Sequence, residues 1–346
     1  MHRHQAIPRL LCSSTLFVMT GAPIRKNIVT MGGGTGTFTV LSGFRHTPEV
    51  FLTAIVSSAD DGGSTGRLRD AYGILPPGDA RQALVALAEE ETMLRKLFTH
   101  RFAKGDIAGH NFGNLFLVAL SDMLGSDALA LEEASRILRI NGRVLQVSER
   151  PARLLARLAD GTTLAGEHAI DERVYARSPI AELSLVAEAI VAPSARDAIA
   201  EADLIVLGPG DLYTSTIATL LPAGVREALE SSKAKLTYVV NLFTKAGQTD
   251  GYGARRHVEE VERYAGRALD AIVMSTDGFP EEALARYALE REAPVADDLG
   301  DDCRVIRRNL ASITVVEPVP EDPVPRSLIR HDSEKLAAVL HDLLDQ

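Results

Sequence analysis

Cysteine is almost absent from this chain: of 346 residues only Cys12 and Cys303 carry a thiol. There is no C-x-x-C pair and no histidine cluster, so neither a disulfide framework nor a zinc site is expected, and the reducing cytosol is the natural compartment. Positive charge is also short, with 37 Lys and Arg against 47 Asp and Glu, a formal net charge of −10 and a pI near 5.4. That balance argues against a nucleic-acid backbone or an anionic membrane as partner, because both reward clustered cations. Any anion bound here must be held locally, by turns and helix ends. No apolar run approaches the ~18 residues that a membrane span requires. The nearest thing to a targeting segment is residues 1–20, where Arg3 and Arg9 precede an apolar patch over 10–19. Ser13, Ser14 and Thr15 interrupt that patch. Residues 1–22 therefore read as an N-terminal extension, either disordered or translated ahead of a start at Met19.

What is present is an ordinary globular composition, 46% hydrophobic and 24% charged, with glycine concentrated at a few strand ends. Residues 27–37 read N-I-V-T-M-G-G-G-T-G-T, a short apolar run that stops in four glycines and then continues into the helix-like stretch 38–44. Glycine lets backbone N–H groups approach an anion closely, and the following helix N-terminus adds partial positive charge. A nucleotide or sugar nucleotide is the expected guest. The turn does not fit G-x-G-x-x-G: counted from Gly32 the last position is Thr37, and from Gly34 it is Thr39. A second apolar run, 51–56, leads into S-S-A-D-D-G-G-S-T-G at 57–66. Dinucleotide folds place a ribose-binding acid after the second strand, and Asp60 lies slightly late for that role.

The rhythm that follows is α/β. Asp79 is placed to cap a helix beginning at Ala80, G-H-N-F-G-N at 109–114 opens an apolar helix to Leu124, and Asp127 starts another that runs to about Arg139. An Asp160-Gly161 turn between two strand-like arms signals a hairpin, so the segment 144–191 is expected to be antiparallel. Fully apolar strands then return at 203–207, 236–240 and 270–274, as in a parallel sheet covered on both faces. Gly208-Pro209-Gly210 and the loop 241–252 leave two of these strands and lead into helices. In an open α/β sheet such loops converge on one cleft outside the carboxyl ends of the strands. The expected architecture is a Rossmann-like three-layer α/β/α fold, mostly parallel, with an antiparallel hairpin insertion.

Several motifs in this order carry a family resemblance: G-G-G-T-G at 32–36, D-D-G-G-S-T-G-R-L-R at 60–69, P-P-G-D at 76–79, G-H-N-F-G-N-L at 109–115, G-P-G at 208–210 with L-Y-T-S at 212–215, and T-D-G-Y at 249–252. Together they resemble the YvcK branch of the CofD-like proteins, the gluconeogenesis factors, from about Asn27 to His331 and Asp332. The resemblance implies a single domain over 23–346, located in the cytoplasm. It also implies a ligand of the UDP-sugar class, UDP-N-acetylglucosamine above all, with no required cofactor. The role implied is regulatory, sustaining cell shape and peptidoglycan synthesis on gluconeogenic carbon sources through cell-wall or signalling proteins, and a homo-oligomer is compatible with it. The CofD branch is instead a magnesium-dependent transferase of phospholactate from a guanylylated donor to the deazaflavin precursor Fo. A NAD-dependent oxidoreductase is a third reading of the strand–glycine–acid order. This chain departs from the regulatory pattern at Asp211, where Ser is common, and at Lys245, Ala246 and Gln248, where Gln, Pro and Glu are commoner. Asp211 is either a helix cap or a ligand contact, and in the second case its charge opposes a diphosphate unless a metal or Lys245 intervenes.

The expected diphosphate donors are the amides of Gly33, Gly34, Thr35 and Gly36, faced by Gly208 and Gly210. Asp60 and Asp61 bind a ribose hydroxyl, hold magnesium in the transferase case, or merely set the turn. Arg67 and Arg69 are placed to neutralise phosphate, with a structural ion pair to Asp70 or Asp79 the alternative for Arg69. His110, Asn111 and Asn114 suit a base or sugar edge, and Thr249, Asp250 and Tyr252 the sugar or uracil end. Neither a Ser-His-Asp order nor a nucleophilic cysteine is evident, which leaves hydrolase chemistry without a candidate.

Overall fold

A computed structural model describes residues 25–88, 93–173, 178–312 and 328–345. The expectation for residues 1–22 falls outside these. Seven strands form the main sheet: β1 (Lys26–Met31), β2 (Val50–Val56), β3 (Arg143–Gln146), β7 (Leu204–Leu207), β8 (Lys235–Val239), β9 (Ala271–Ser275) and β10 (Val305–Arg308). Three more, β4 (Leu154–Leu158), β5 (Thr163–Ala165) and β6 (Ile180–Leu185), make a small antiparallel sheet in the order β5-β4-β6. Every pairing in the main sheet is parallel, and the spatial order is β10-β9-β8-β7-β1-β2-β3.

Strand geometry explains why the central runs are apolar throughout, since successive side chains point to opposite faces and both faces are covered. Along β1 and β7, Val29, Met31, Ile205 and Leu207 enter one core, whereas Ile28, Leu204 and Val206 enter the other. The second core includes helices α1 (Gly34–Gly43), α3 (Pro77–Leu87) and Ser333–Leu344; the small sheet packs into the first. Asp332 caps the last of these helices, its carboxylate accepting the amides of Glu334 at 3.0 Å and Lys335 at 3.1 Å. Asp332→Ala should lower stability by about 1 kcal/mol in urea titrations, the usual value of a lost N-cap.

The antiparallel part begins at Leu154, not near Val144. Residues 143–146 instead pair parallel with β2 at the sheet edge. The hairpin does turn at Asp160 and Gly161, where the Asp160 carboxylate accepts the Thr162 amide at 2.9 Å. Among the described residues, no helix is long and apolar enough to cross a membrane.

The strand order has one consequence for function. From β1 the chain steps outward through β2 to β3, and β7 to β10 then build the other side. Loops leaving β1 and β7 therefore diverge above the middle of the sheet and open a crevice there, the position where open α/β sheets bind ligands.

Candidate functional site

A cavity of about 750 Å³ occupies that crevice. Its floor is the turn between β1 and α1, in which Gly34 has φ of +63°, a conformation suited to glycine. The turn after β7 lies against it so closely that a Cβ on Gly36 would collide with the backbone at Pro209 and Gly210. These two turns are the opposed walls anticipated from the sequence. Of the residues expected to bind ligand, the cavity brings together Gly33, Gly34, Thr35, Gly36, Asp60, Arg67, Asn114 and Gly210.

The other eight stand outside the lining, and most are held by identifiable bonds. Asp61 accepts the His168 amide at 2.9 Å, tying the loop after β2 to the insertion. Arg69 donates to Asp70 at 2.9 Å and to the Asp60 carbonyl at 3.4 Å, its structural alternative. The ring of His110 contacts Ser64, and Asn111 caps helix Phe112–Leu124 through the Gly113 amide at 2.8 Å. Gly208 packs on Tyr238 at the strand exit. Thr249 and Asp250 accept amides of Lys245 and Gly247 within their own loop, and the Tyr252 hydroxyl lies 3.1 Å from that of Tyr213.

Asp79 is the largest correction to the local reading. The helix begins at Pro77, with Pro76 at the cap position, so Asp79 lies inside the first turn. Proline at a helix start needs no amide partner, which frees the Asp79 carboxylate. It accepts the Gly34 amide at 2.8 Å and packs where a Cβ on Gly33 would be. Burial, with the charge of Asp60 beside it, pushes the Asp79 carboxyl up to about 7. Asp211 stands at the head of the segment Leu212–Thr216 without making a side-chain cap, and it faces the cavity.

Two further acids come from the insertion. Glu167 and Asp171 lie four residues apart on a short helix, Glu167–Asp171, and so share one face. Both line the cavity. Burial raises each of them, and Asp171 reaches about 7 with Asp211 adding to the effect. Asp171 also accepts the amide of buried Gln248 at 2.6 Å. Opposite stands Lys245, 3.4 Å from Glu292. Burial opposes its charge, but Asp211, Glu292 and Asp171 outweigh that effect and hold the ammonium group above its ordinary value. Among the described residues, no three His, Cys, Asp or Glu side chains converge as a metal site.

The far end of the cavity is apolar. Phe243 and Tyr287 stack with ring centroids 3.7 Å apart, beside Leu328 and Ile329. Nothing local in the sequence pairs these residues; only the tertiary fold does.

The family model for CofD, 2-phospho-L-lactate transferase, matches residues 28–312. The chain belongs to the CofD family. Within that family it is 42% identical over 313 residues to a Thermotoga maritima protein named "Putative gluconeogenesis factor", covering 90% of this chain and 98% of the other. It is 37% identical over 329 residues to the gluconeogenesis factor of Bacillus subtilis, covering 93% and 99%. A crystal structure of a UPF0052-family protein from Bacillus halodurans superposes with a TM-score of 0.83 at 35% identity, covering 92% of this chain and 99% of that one. The CofD-family fold and the gluconeogenesis-factor relationship expected from the motifs are thereby established.

Proposed function

We propose that this protein is a cytoplasmic nucleotide-sugar sensor of the gluconeogenesis-factor type, with UDP-N-acetylglucosamine as its ligand. In this reading the bound state regulates cell-wall synthesis and cell shape during gluconeogenic growth, through a protein that recognises it. The observation that carries the proposal is Arg67. It lines the cavity together with the glycine turn, yet among the described residues it has no hydrogen-bond or ion-pair partner. Its neighbour in sequence, Arg69, is already committed to Asp70. An unpaired guanidinium beside a glycine turn suits a diphosphate, and the Phe243–Tyr287 stack at the other end offers an apolar aromatic surface to a pyrimidine.

Titration calorimetry with UDP-N-acetylglucosamine, GDP and NAD tests the reading. Arg67→Ala should weaken UDP-sugar binding by roughly 10- to 100-fold, the usual range for a charge-assisted hydrogen bond, whereas Arg69→Ala should stay within about threefold. Absence of UDP-sugar binding at millimolar concentration would reject it, and a clear preference for GDP would favour the transferase chemistry for which the family model is named.

A further inference from the structure

Ser64 and His110 belong to separate sequence motifs, at 60–69 and 109–115, and the fold joins them. Ser64 lies in the first turn of α2 (Gly63–Tyr72), lines the cavity, and places its Oγ 3.0 Å from Nδ1 of His110. His110 is anchored through its backbone, its amide donating to the Ile107 carbonyl at 3.0 Å and its carbonyl accepting the Phe102 amide at 2.9 Å. Arg67 and Arg101 both line the cavity and both lie beside Gly109, whose carbonyl accepts from Arg101 at 2.8 Å. Burial and these two cations hold the imidazole below its ordinary value, so it is neutral at pH 7. With the ring proton on Nε2, Nδ1 accepts the Ser64 O–H. A hydroxyl hydrogen-bonded to a neutral imidazole is the signature of an activated nucleophile, and here cations stand where an anionic substrate would be held.

We propose that Ser64 and His110 form a nucleophile–base pair that slowly cleaves the diphosphate of a bound nucleoside diphosphate sugar. The inference rests on the nucleotide-sugar reading above and adds turnover to it. Ser64 Oγ bonds to one phosphorus of the diphosphate, and the P–O bond to the bridging oxygen breaks. The leaving monophosphate ester takes the electron pair, while the Ser64 proton passes to His110 and on to that ester. Water then attacks the same phosphorus, the Ser64–phosphorus bond breaks, and His110 relays a water proton to Ser64 Oγ. One water is consumed, and a UDP-sugar yields UMP and a sugar 1-phosphate. Such a reaction would make the bound state self-terminating.

The test incubates the full-length protein with a panel of UDP-, GDP- and ADP-sugars in ¹⁸O-water, following products by mass spectrometry and binding by calorimetry. The wild type should release nucleoside monophosphate and sugar 1-phosphate, only one of the two carrying a single ¹⁸O. Ser64→Ala should reduce turnover at least ~100-fold while binding stays within about threefold, and His110→Gln should slow it by ~100-fold and remove the acidic limb of the pH profile. A phosphodiester adduct, nucleotidyl or glycosyl-phosphoryl, on the Ser64 peptide of quenched wild-type protein would support the pair independently of any variant's folding. UDP-sugar binding without product release overturns the inference alone, as does undiminished turnover in Ser64→Ala. Ser64-dependent cleavage of a GDP- or ADP-sugar without UDP-sugar binding upholds the pair and overturns only the UDP-sugar assignment. Cleavage of no panel member overturns it.

Discussion

Gly36→Ala should lower stability by about 3 kcal/mol in urea titration or prevent folding, because the added methyl group meets the backbone of the opposite turn across the crevice. The colliding atoms belong to Pro209 and Gly210, which leave β7, while Gly36 lies in the first turn after β1. These strands are hydrogen-bonded neighbours over Ile28 to Met31, so neither turn can withdraw without disturbing the centre of the sheet. Gly34→Ala is the matched comparison. Its Cβ would meet open space, and only the positive φ of +63° opposes it, at roughly 1–2 kcal/mol. If Gly36→Ala proved no more damaging than Gly34→Ala, the close contact between the two turns would have no energetic weight. The crevice would then owe its shape to something else.

The same contact shows what the sequence could and could not disclose. Glycine at a strand end announces a local need, either for unusual backbone angles or for close approach, and both turns were legible for that reason. The strands behind them were legible because burial on both faces demands unbroken apolar runs, as in β2, β7, β8 and β9. Edge strands obey a different rule. Residues 143–146 alternate partly exposed and buried positions and carry Arg143, while β10 ends in Arg307 and Arg308. Polar side chains protect an unpaired edge, and they also erase the pattern by which a strand is recognised. The first consequently falls within the expected hairpin segment, and the second shows no strand pattern of its own.

The site divides along a similar line. Residues whose role is set by their own turn are legible as motifs: Thr249 and Asp250 accept amides three or four residues away. Their motif is informative because it shapes the loop that carries Lys245 into the cavity. The acids of the opposite wall depend on distance in space. Glu167 and Asp171 reach the cavity because the insertion folds back, and the Asp61 bond to the His168 amide fixes how it does so. The Ser64–His110 contact likewise exists only after α2 and the loop before helix Phe112–Leu124 have packed. No spacing rule links these pairs in one dimension.

The buried acids also make stability depend on pH in an unusual direction. In the unfolded chain the carboxyls of Asp79 and Asp171 ionise near 3.8, whereas in the folded protein burial holds each proton until about 7. Between those values the folded chain binds more protons than the unfolded one, so stability from these groups is complete below pH 3.8 and is lost as pH rises through 7. The gap of about three pKa units for Asp79 corresponds to roughly 4 kcal/mol at most. That gap is already net of the Gly34 amide and of Arg81, which favour the ionised form. Urea titrations should therefore show the wild type about 2–3 kcal/mol more stable at pH 5.5 than at pH 8. Asp79→Asn keeps an oxygen to accept the Gly34 amide but cannot ionise. It should flatten that decline, its advantage over the wild type growing by about 2–3 kcal/mol between pH 5 and pH 8. Asp302, held at about 2 by Arg304, pulls the other way only well below pH 5, whereas His331, pushed down to about 4 by burial, gains stability as pH rises toward 6.5 and offsets part of the decline. A stability difference between wild type and Asp79→Asn that stays constant from pH 5.5 to 8 would mean that Asp79 is ionised against the glycine turn throughout. The turn's first amide would then be occupied by a full negative charge that any phosphate must displace.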